Sequence, residues 1–339
     1  MEKGKNIVMD VQNNGMRQQN SLTKEEFDFS PWAIKSLYNY IDSKIVGQTQ
    51  LKNSLITALL ADGHILIESL PGLAKTTAAK SLADAINGKF SRIQCTPDLL
   101  PSDITGTEIY HQDTGKFETV FGPVFANFVL LDEINRSSSK TQSAMLEAMQ
   151  EKQVTIGKAT YLMPQDIFMV IATENPIEQE GTYQLSEAQT DRFMIKEKIT
   201  YPKAEEEFEI LNRIESGAID RKIDPVLKVE DIDRVQEIVK KVYIDNSIKQ
   251  YITRIVDATR KGVSSYVREG ASPRASINFL KAAKASALIH GRNYVIPDDV
   301  KLMKNQILRH RLALTYSAVA DNVAVEDVID TIVNSVEAP

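Results

Sequence analysis

The sequence predicts an α/β domain built on a parallel five-stranded sheet flanked by helices, followed by a smaller all-helical lid domain. Three observations support this prediction. Short apolar runs alternate with helical segments up to about residue 201, which is typical of parallel sheets. A glycine-containing turn directly follows the first of these runs, as in nucleotide-binding folds. Beyond residue 202 the helical segments continue without a convincing strand.

Each element has a local signal. Before the sheet, helices are predicted at residues 31–43 and 50–61, on either side of a short apolar–glycine element at 45–48. The five predicted strands are residues 64–68, 90–94, 128–131, 168–172 and 193–199. Two turn-rich insertions, residues 105–122 and 153–164, are each predicted to form a hairpin. The lid helices are predicted at residues 229–242, 247–261, 273–290, 297–311 and 325–336, two of which begin with proline.

These elements divide the 339 residues into four parts. We expect a disordered or loosely attached leader at residues 1–30 and an α/β nucleotide-binding core at 31–202. A linker at 203–228 would then connect the core to the helical lid at 229–339. A chain of this length can bury a substantial hydrophobic core.

Composition narrows the class of protein. The net charge of −6 disfavours bulk electrostatic binding of nucleic acid. The single cysteine, Cys95, excludes an intrachain disulfide and a multi-cysteine zinc site, and it fits a reducing compartment. The N-terminal residues lack the apolar segment of a signal peptide, and no apolar run reaches membrane-spanning length. We therefore expect a soluble, cytoplasmic protein without an integral membrane segment.

The turn after the first predicted strand reads Glu-Ser-Leu-Pro-Gly-Leu-Ala-Lys-Thr at residues 68–76. Such a turn and the helix N-terminus after it aim backbone N–H groups at phosphate, while the lysine adds positive charge and the hydroxyl is a Mg²⁺ ligand. Ser69 and Ala74 stand where the P-loop pattern has glycine, so this segment alone also allows an ordinary strand–turn–helix. The residues predicted to bind the nucleotide here are Pro71, Gly72, Leu73, Ala74, Lys75, Thr76 and Thr77.

Polar side chains follow two of the later predicted strands. Asp132 and Glu133 end a buried strand, and the carboxyl ends of parallel strands lie at the same edge as the phosphate-binding turn. Asp132 is therefore a candidate to hold Mg²⁺ together with Thr76, and Glu133 a candidate to polarise the attacking water. Asn175, at the end of the next strand, is a candidate to contact the γ-phosphate and this water, although Asn-Pro is also a common turn former.

Two arginines are further candidates. Arg192 precedes the last predicted strand. Its side chain is either a solvated surface charge or an ion-pair partner of Asp191, or it is an arginine finger that reaches the nucleotide of a neighbouring subunit. Arg274 lies in the first turn of a predicted lid helix, where the helix dipole mildly disfavours a cation. That position makes most sense if the side chain helps to bind an anion.

Several longer motifs resemble the MoxR family of AAA+ ATPases across residues 45–300. They are Asp-Glu-Ile-Asn-Arg at 132–136, the block at 142–151, Thr-Pro-Asp-Leu-Leu-Pro-Ser-Asp-Ile-Thr-Gly at 96–106, residues 180–183 and 187–189, and the lid segments 270–275 and 294–300. The resemblance implies a P-loop AAA+ domain that hydrolyses ATP with Mg²⁺. It further implies a ring, expected to be a hexamer, with nucleotide between subunits and both hairpins facing substrate or the pore.

The resemblance also assigns roles by position. Lys75 and Thr76 become the phosphate and Mg²⁺ residues, and Asp132 and Glu133 the second acidic motif. Asn175 becomes the first sensor, Arg192 the finger acting in trans and Arg274 the second sensor. Gly47 and Gln48 fall at the adenine-side backbone contacts, and Arg136 is a further candidate at the subunit interface.

The biological role implied is chaperone-like remodelling or activation of a client protein, with a protein carrying a von Willebrand factor A domain as an expected partner. Two alternatives stay open at this point. One is a nucleotide-gated protein-binding switch with little hydrolysis, suggested by Ser69. The other is a DNA-remodelling motor, which the net acidity and the lack of a helix-turn-helix segment disfavour.

Overall fold

The computed structural model describes residues 22–70, 72–164, 166–176, 183–219 and 221–339. Pro71 and most of the predicted leader lie outside these ranges. In chain order the first part contains α1 (Lys24–Lys44), α2 (Thr49–Leu60), β1 (Ile65–Ser69), α3 (Lys75–Ala85), β2 (Phe90–Gln94), α4 (Pro101–Thr105), β3 (Gly106–His111), β4 (Lys116–Phe121), β5 (Phe128–Asp132), α5 (Ser139–Glu151), β6 (Gln153–Ile156), β7 (Ala159–Leu162), β8 (Met169–Glu174), α6 (Glu187–Thr190) and β9 (Ile195–Ile199).

The second part continues with α7 (Ala204–Glu215), α8 (Val229–Lys241), α9 (Asn246–Ala258), β10 (Val267–Glu269), α10 (Pro273–Ile289), α11 (Pro297–Leu302), α12 (Lys304–Leu308), β11 (Ala313–Leu314), α13 (Tyr316–Ala320) and α14 (Val325–Asn334). None of the helices in the described ranges is long and apolar enough to cross a membrane.

The predicted five-stranded parallel sheet is confirmed, with the strand order β2-β5-β8-β1-β9. The central strands β5 and β8 are almost entirely apolar and buried, as expected for a sheet that is covered on both faces. Gln94 pairs with Asp132 and Glu68 with Glu174, so β1, β2, β5 and β8 end together at one edge. We call this the carboxyl edge, and the opposite edge the amino edge.

Alternate strand residues point into two hydrophobic clusters, one on each face of the sheet. Ile65 and Ile67 belong to the larger cluster, whereas Leu66 between them belongs to the smaller one. The larger cluster runs through α1, α2 and α3 and continues into the lid as far as Val333. The lid therefore shares one hydrophobic core with the helices on that face.

Both predicted hairpins are present, as the antiparallel pairs β3–β4 and β6–β7. They contact each other through Thr119 and Tyr161, whose hydroxyl oxygens lie 3.0 Å apart, and through the rings of Phe121 and Tyr161. The two insertions thus form a single projecting unit.

Two elements differ from the prediction. Helix α1 begins at Lys24 rather than at residue 31, because Thr23 and Glu26 form a capping box and Pro31 is accommodated inside the helix. The lid is helical as predicted, but it also contains a short antiparallel ribbon of β10 and β11, and the helix predicted at 297–311 is interrupted at Met303. Strands of two or three residues are too short to show a period in the sequence.

Candidate functional site

The turn after β1 has the backbone of a phosphate-binding loop. Gly72 has φ +82°, and Ala74, at the N-terminus of α3, has φ +55°. The left-handed conformation strains alanine by roughly 1 kcal/mol relative to glycine, which explains why the P-loop pattern has glycine there. Helix α3 has no side-chain cap, so its first N–H groups remain available to an anion. The buried Lys75 places its Nζ 3.4 Å from the Ser69 carbonyl oxygen, over the same turn.

Asp132 lies at the carboxyl edge, beside this turn, and is buried. Its Oδ1 accepts a 2.8 Å hydrogen bond from the Thr173 hydroxyl. Its Oδ2 accepts hydrogen bonds from Arg92 Nε and Nη2 at 3.2 and 2.6 Å. The sequence did not point to Thr173 or Arg92, because each reaches Asp132 from a different strand.

Glu133 follows in the left-handed region, with φ +57°, and its backbone N–H donates to the same Thr173 hydroxyl at 2.8 Å. Thr173 therefore positions both acidic residues. The Glu133 carboxylate accepts hydrogen bonds from Gln94 Nε2 at 3.3 Å and from Arg136 Nη1 at 3.1 Å. Arg136 thus lies at the carboxyl edge of its own chain.

Asn175 is buried at the end of β8, and its carbonyl oxygen lies 3.5 Å from Asn135 Nδ2. The preceding residue, Glu174, belongs to an ion cluster that joins three strands: Lys196 on β9 contacts Glu68 on β1 at 2.7 Å and Glu174 on β8 at 2.5 Å. Burial raises the pKa of Glu174, and the two carboxylates raise the pKa of Lys196 against its own burial. The structure thus brings the phosphate-binding turn, Asp132, Glu133 and Asn175 to one edge.

An open cleft lies beside the phosphate-binding turn. Gln48 lines the cleft, and its Nε2 donates to the Thr200 carbonyl oxygen at 3.1 Å. Gly47 packs so closely on α7 that a Cβ would lie 2.3 Å from Glu206 Oε1. The lining residues are Lys44, Ile45, Val46, Gln48, Gly72, Leu73, Ala74, Thr77, Pro202, Ile210 and Ile219. The predicted linker therefore forms one wall, with Ile210 and Ile219, and is part of the site.

Arg192 and Arg274 lie elsewhere. Strand β9 runs parallel to β1 with Ile195 opposite Ile65 and Ile199 opposite Ser69, so the start of β9 is at the amino edge. At about 3.3 Å per residue, the start of β9 is roughly 13 Å from the level of Ser69, and Arg192 is farther still. Arg274 Nη1 lies 3.7 Å from Asp191 Oδ2, at this same edge.

This placement bears on the role that the resemblance assigns to Arg274, that of a second sensor at the nucleotide. Arg274 is grouped with Arg192 at the amino edge, away from the phosphate-binding turn of the same chain. Sequence reasoning could not detect this, because it depends on where the lid docks.

The lid is held at the amino edge by a buried ion pair between Arg311 Nε and Asp191 Oδ1, which are 2.7 Å apart. Arg311 also donates to the backbone carbonyl oxygens of Asp191 and Phe193, and Ser272 on the lid donates to Asp191 Oδ2 at 2.9 Å. Burial lowers the pKa of Arg311 to about 10, although Asp191 opposes this shift. Asp191 thus joins the core to the lid and contacts Arg274.

Comparisons with known proteins identify the families to which the core and the lid are similar. Residues 64–195 match the family model described as "ATPase family associated with various cellular activities (AAA)", and residues 260–332 match the model described as "AAA lid domain". Chaperone MoxR1 of Mycobacterium tuberculosis is 48% identical over 302 residues, which cover 87% of this chain and 79% of that protein. YeaC of Bacillus subtilis is 45% identical over 312 residues, covering 92% and 96%. A crystal structure of a protein from Cytophaga hutchinsonii has a TM-score of 0.87 and 43% identity, covering 93% of this chain and 98% of that one.

Proposed function

Because the chain belongs to the MoxR family of AAA+ ATPases, we propose that it binds and hydrolyses ATP with Mg²⁺ at the carboxyl edge of its sheet. The observation that carries this proposal is the convergence of the phosphate-binding turn, Asp132, Glu133 and Asn175 at one edge of the sheet, where the turn also lines a cleft. The cleft would take the adenine and ribose, and α3 would direct its free N–H groups at the phosphates.

The residues present fit a Mg²⁺ ion. Thr76 contributes a hydroxyl and Asp132 a carboxylate, and oxygen donors of these kinds, together with phosphate oxygens, suit this hard cation. When bound, the ion would neutralise charge on the β- and γ-phosphates. Lys75 would add its own charge to the same groups. Glu133 would orient the attacking water, for which its carboxylate must leave Gln94 and Arg136.

The site would be completed by a neighbouring copy. Arg192 and Arg274 share the amino edge of one chain, and we propose that they reach the γ-phosphate held at the carboxyl edge of the next chain. Charge stabilisation of this kind is worth several orders of magnitude in phosphoryl transfer. We propose a closed ring, expected to be hexameric, in which each interface forms one complete site.

The fused hairpins are the proposed client-binding surface. The rings of Tyr110 and Phe117 are in contact, with centroids 5.1 Å apart and planes tilted by 52°, and both side chains are more than half exposed. Exposed aromatic pairs of this kind are typical of protein-binding surfaces. We propose that hydrolysis drives chaperone-like remodelling of a protein client through this surface; a partner with a von Willebrand factor A domain and a cytoplasmic location stay predictions.

The experiment is a steady-state ATPase assay of the wild type, Lys75→Ala and Glu133→Gln. We expect both variants to lose at least tenfold in rate, whereas Lys80→Ala, at an exposed position on α3, should match the wild type. Equally low phosphate release from every protein would remove the hydrolysis proposal. If ATP still bound tightly, that result would favour the nucleotide-gated switch.

Mixing two inactive variants tests the shared site. Lys75→Ala chains keep the arginines, and Arg192→Ala chains keep the phosphate-binding turn. In randomly mixed rings about one interface in four pairs the two intact halves, so roughly a quarter of the wild-type rate should return. No recovery, with mixed rings verified by mass, would contradict action of Arg192 in trans.

A further inference from the structure

Helix α7 leaves its apolar face in solvent. Phe208, Leu211 and Ile214 are between 59 and 65% exposed. The side of the helix that faces the core carries Ile210 together with Glu209 and Arg213, which form an ion pair. Amphipathic helices normally bury their apolar stripe, and a contiguous apolar patch on the surface marks an interaction site.

The position of α7 ties this patch to the nucleotide cleft. Ile210 on the inner side lines the cleft, so the exposed side chains lie about one helix diameter, roughly 10 Å, from the bound nucleotide of the proposed site. Any molecule that covers the patch therefore sits beside the nucleotide.

A further exposed apolar side chain, on the lid, lies beside Arg274. Ile277 is 56% exposed and lies one helical turn after Arg274 on α10, so both residues are on the same face of that helix. If Arg274 reaches the phosphates of a neighbouring copy, Ile277 is brought to the same place.

We propose that the exposed face of α7 (Phe208, Leu211 and Ile214) docks on the lid of a neighbouring copy, on the face that carries Arg274 and Ile277. This inference rests on the proposed ring and adds the surface that closes it. The charges are of opposite sign: α7 presents the exposed carboxylates Glu205 and Glu207 near the cleft, and the approaching lid face carries Arg274, directed at the phosphates beside them. The apolar face of α7 and Ile277 would exclude water around these charges.

This contact would couple nucleotide binding to ring assembly. The inner side of α7 lines the cleft and its outer side would contact the neighbouring copy, so a nucleotide that holds α7 in position also holds the docking face in position. We therefore expect assembly through α7 to tighten when ATP is bound.

The first test is sedimentation of Leu211→Asp and Ile277→Asp with a slowly hydrolysed ATP analogue. Each change places a carboxylate in the proposed contact, so assembly should weaken by roughly tenfold or more. Leu302→Asp is the matched control, since Leu302 is 58% exposed on a different lid helix, and it should assemble like the wild type. Binding of a fluorescent ATP analogue at low protein concentration shows that each variant is folded.

The second test is oxidative cross-linking of a mixture of Leu211→Cys and Ile277→Cys chains. The native Cys95 is buried and does not compete. A disulfide-linked dimer should form with the ATP analogue and not in a mixture of Leu211→Cys and Leu302→Cys. Normal rings and normal hydrolysis in both aspartate variants, without the cross-link, would overturn the docking and leave the proposed ATPase standing. A wild type that neither assembles nor hydrolyses ATP would overturn both.

Discussion

Arg92 donates hydrogen bonds to the Asp132 carboxylate, which is proposed to hold Mg²⁺. Removal of the Arg92 guanidinium should therefore lower the Mg²⁺ concentration required for ATP hydrolysis. Two of its N–H groups donate to Asp132 Oδ2, at 3.2 and 2.6 Å, and a third contact joins it to Gln94 Oε1 at 3.0 Å. Mg²⁺ must therefore displace Arg92 or share Asp132 with it. The test is Arg92→Met, which keeps a long apolar stem and removes the guanidinium.

The magnitude follows from the exposure of the pair. Hydrogen bonds to a charged group contribute about 1.5 to 3 kcal/mol, but the Arg92 side chain is 49% exposed, and exposed ion pairs contribute less. An estimate of about 1 to 2 kcal/mol corresponds to a roughly fivefold to thirtyfold lower half-saturating Mg²⁺ concentration. Arg92→Lys, which keeps the charge but loses the two-pronged contact, should fall between the two proteins.

The assay is ATP hydrolysis at saturating ATP across a Mg²⁺ titration. Arg234→Met is the matched control, because Arg234 forms its ion pair with Glu25 on α1. An unchanged Mg²⁺ requirement in Arg92→Met would refute the competition. A higher requirement would show that Arg92 supports the metal site.

Three further predictions test other parts of the molecule. Thr173→Val removes the hydroxyl shared by Asp132 and Glu133, so we expect kcat to fall tenfold or more while ATP affinity, measured by fluorescence, changes less than about threefold. Asp191→Asn leaves the buried Arg311 guanidinium without its carboxylate, and denaturant unfolding should show a loss of about 3 kcal/mol; a loss below about 1 kcal/mol would contradict this role. Burial lowers the pKa of His64 from 6.5 to about 4, so the folded state holds it neutral and loses stability as the pH falls through this window, by up to roughly 3 kcal/mol. His64→Asn, which retains an acceptor for the Val170 N–H, should show a shallower loss of melting temperature between these pH values, and an unchanged pH dependence would refute the assignment.

The elements that the sequence predicted correctly have local signals. The buried strand Phe128–Asp132 is a continuous apolar run, and the turn before Lys75 combines glycine, lysine and hydroxyl in a fixed order. Because parallel strands share an edge, the placement of Asp132 and Asn175 next to this turn follows from the strand pattern without further information.

The elements that the sequence did not reveal depend on contacts between distant segments. Nothing in the sequence distinguishes Thr173 from other strand residues, because its contact with Asp132 arises only from the pairing of β5 with β8. The contact of Arg92 with Asp132 likewise arises only from the pairing of β2 with β5. Helix α7 lies within residues 203–228, which were predicted to be a linker. Its highly charged sequence does not indicate that one of its sides lines the cleft. The side on which Arg274 lies likewise depends on how the lid docks, through the shared hydrophobic core and the contacts of Asp191 with the lid.

The separation of the arginines from the phosphate-binding turn has one further physical consequence. Arg192 Nε is buried and, within the described ranges, meets no hydrogen-bond acceptor, an arrangement that costs about 1 to 3 kcal/mol. The phosphate-binding turn of a single chain thus lies at the carboxyl edge, while the unsatisfied Arg192 Nε donor lies at the amino edge. If Arg192 reaches a neighbouring phosphate as proposed, its Nε would gain an acceptor and the phosphate would gain positive charge. In the proposed ring, nucleotide would then bind most strongly where two copies meet, and ring closure and ATP binding would reinforce each other.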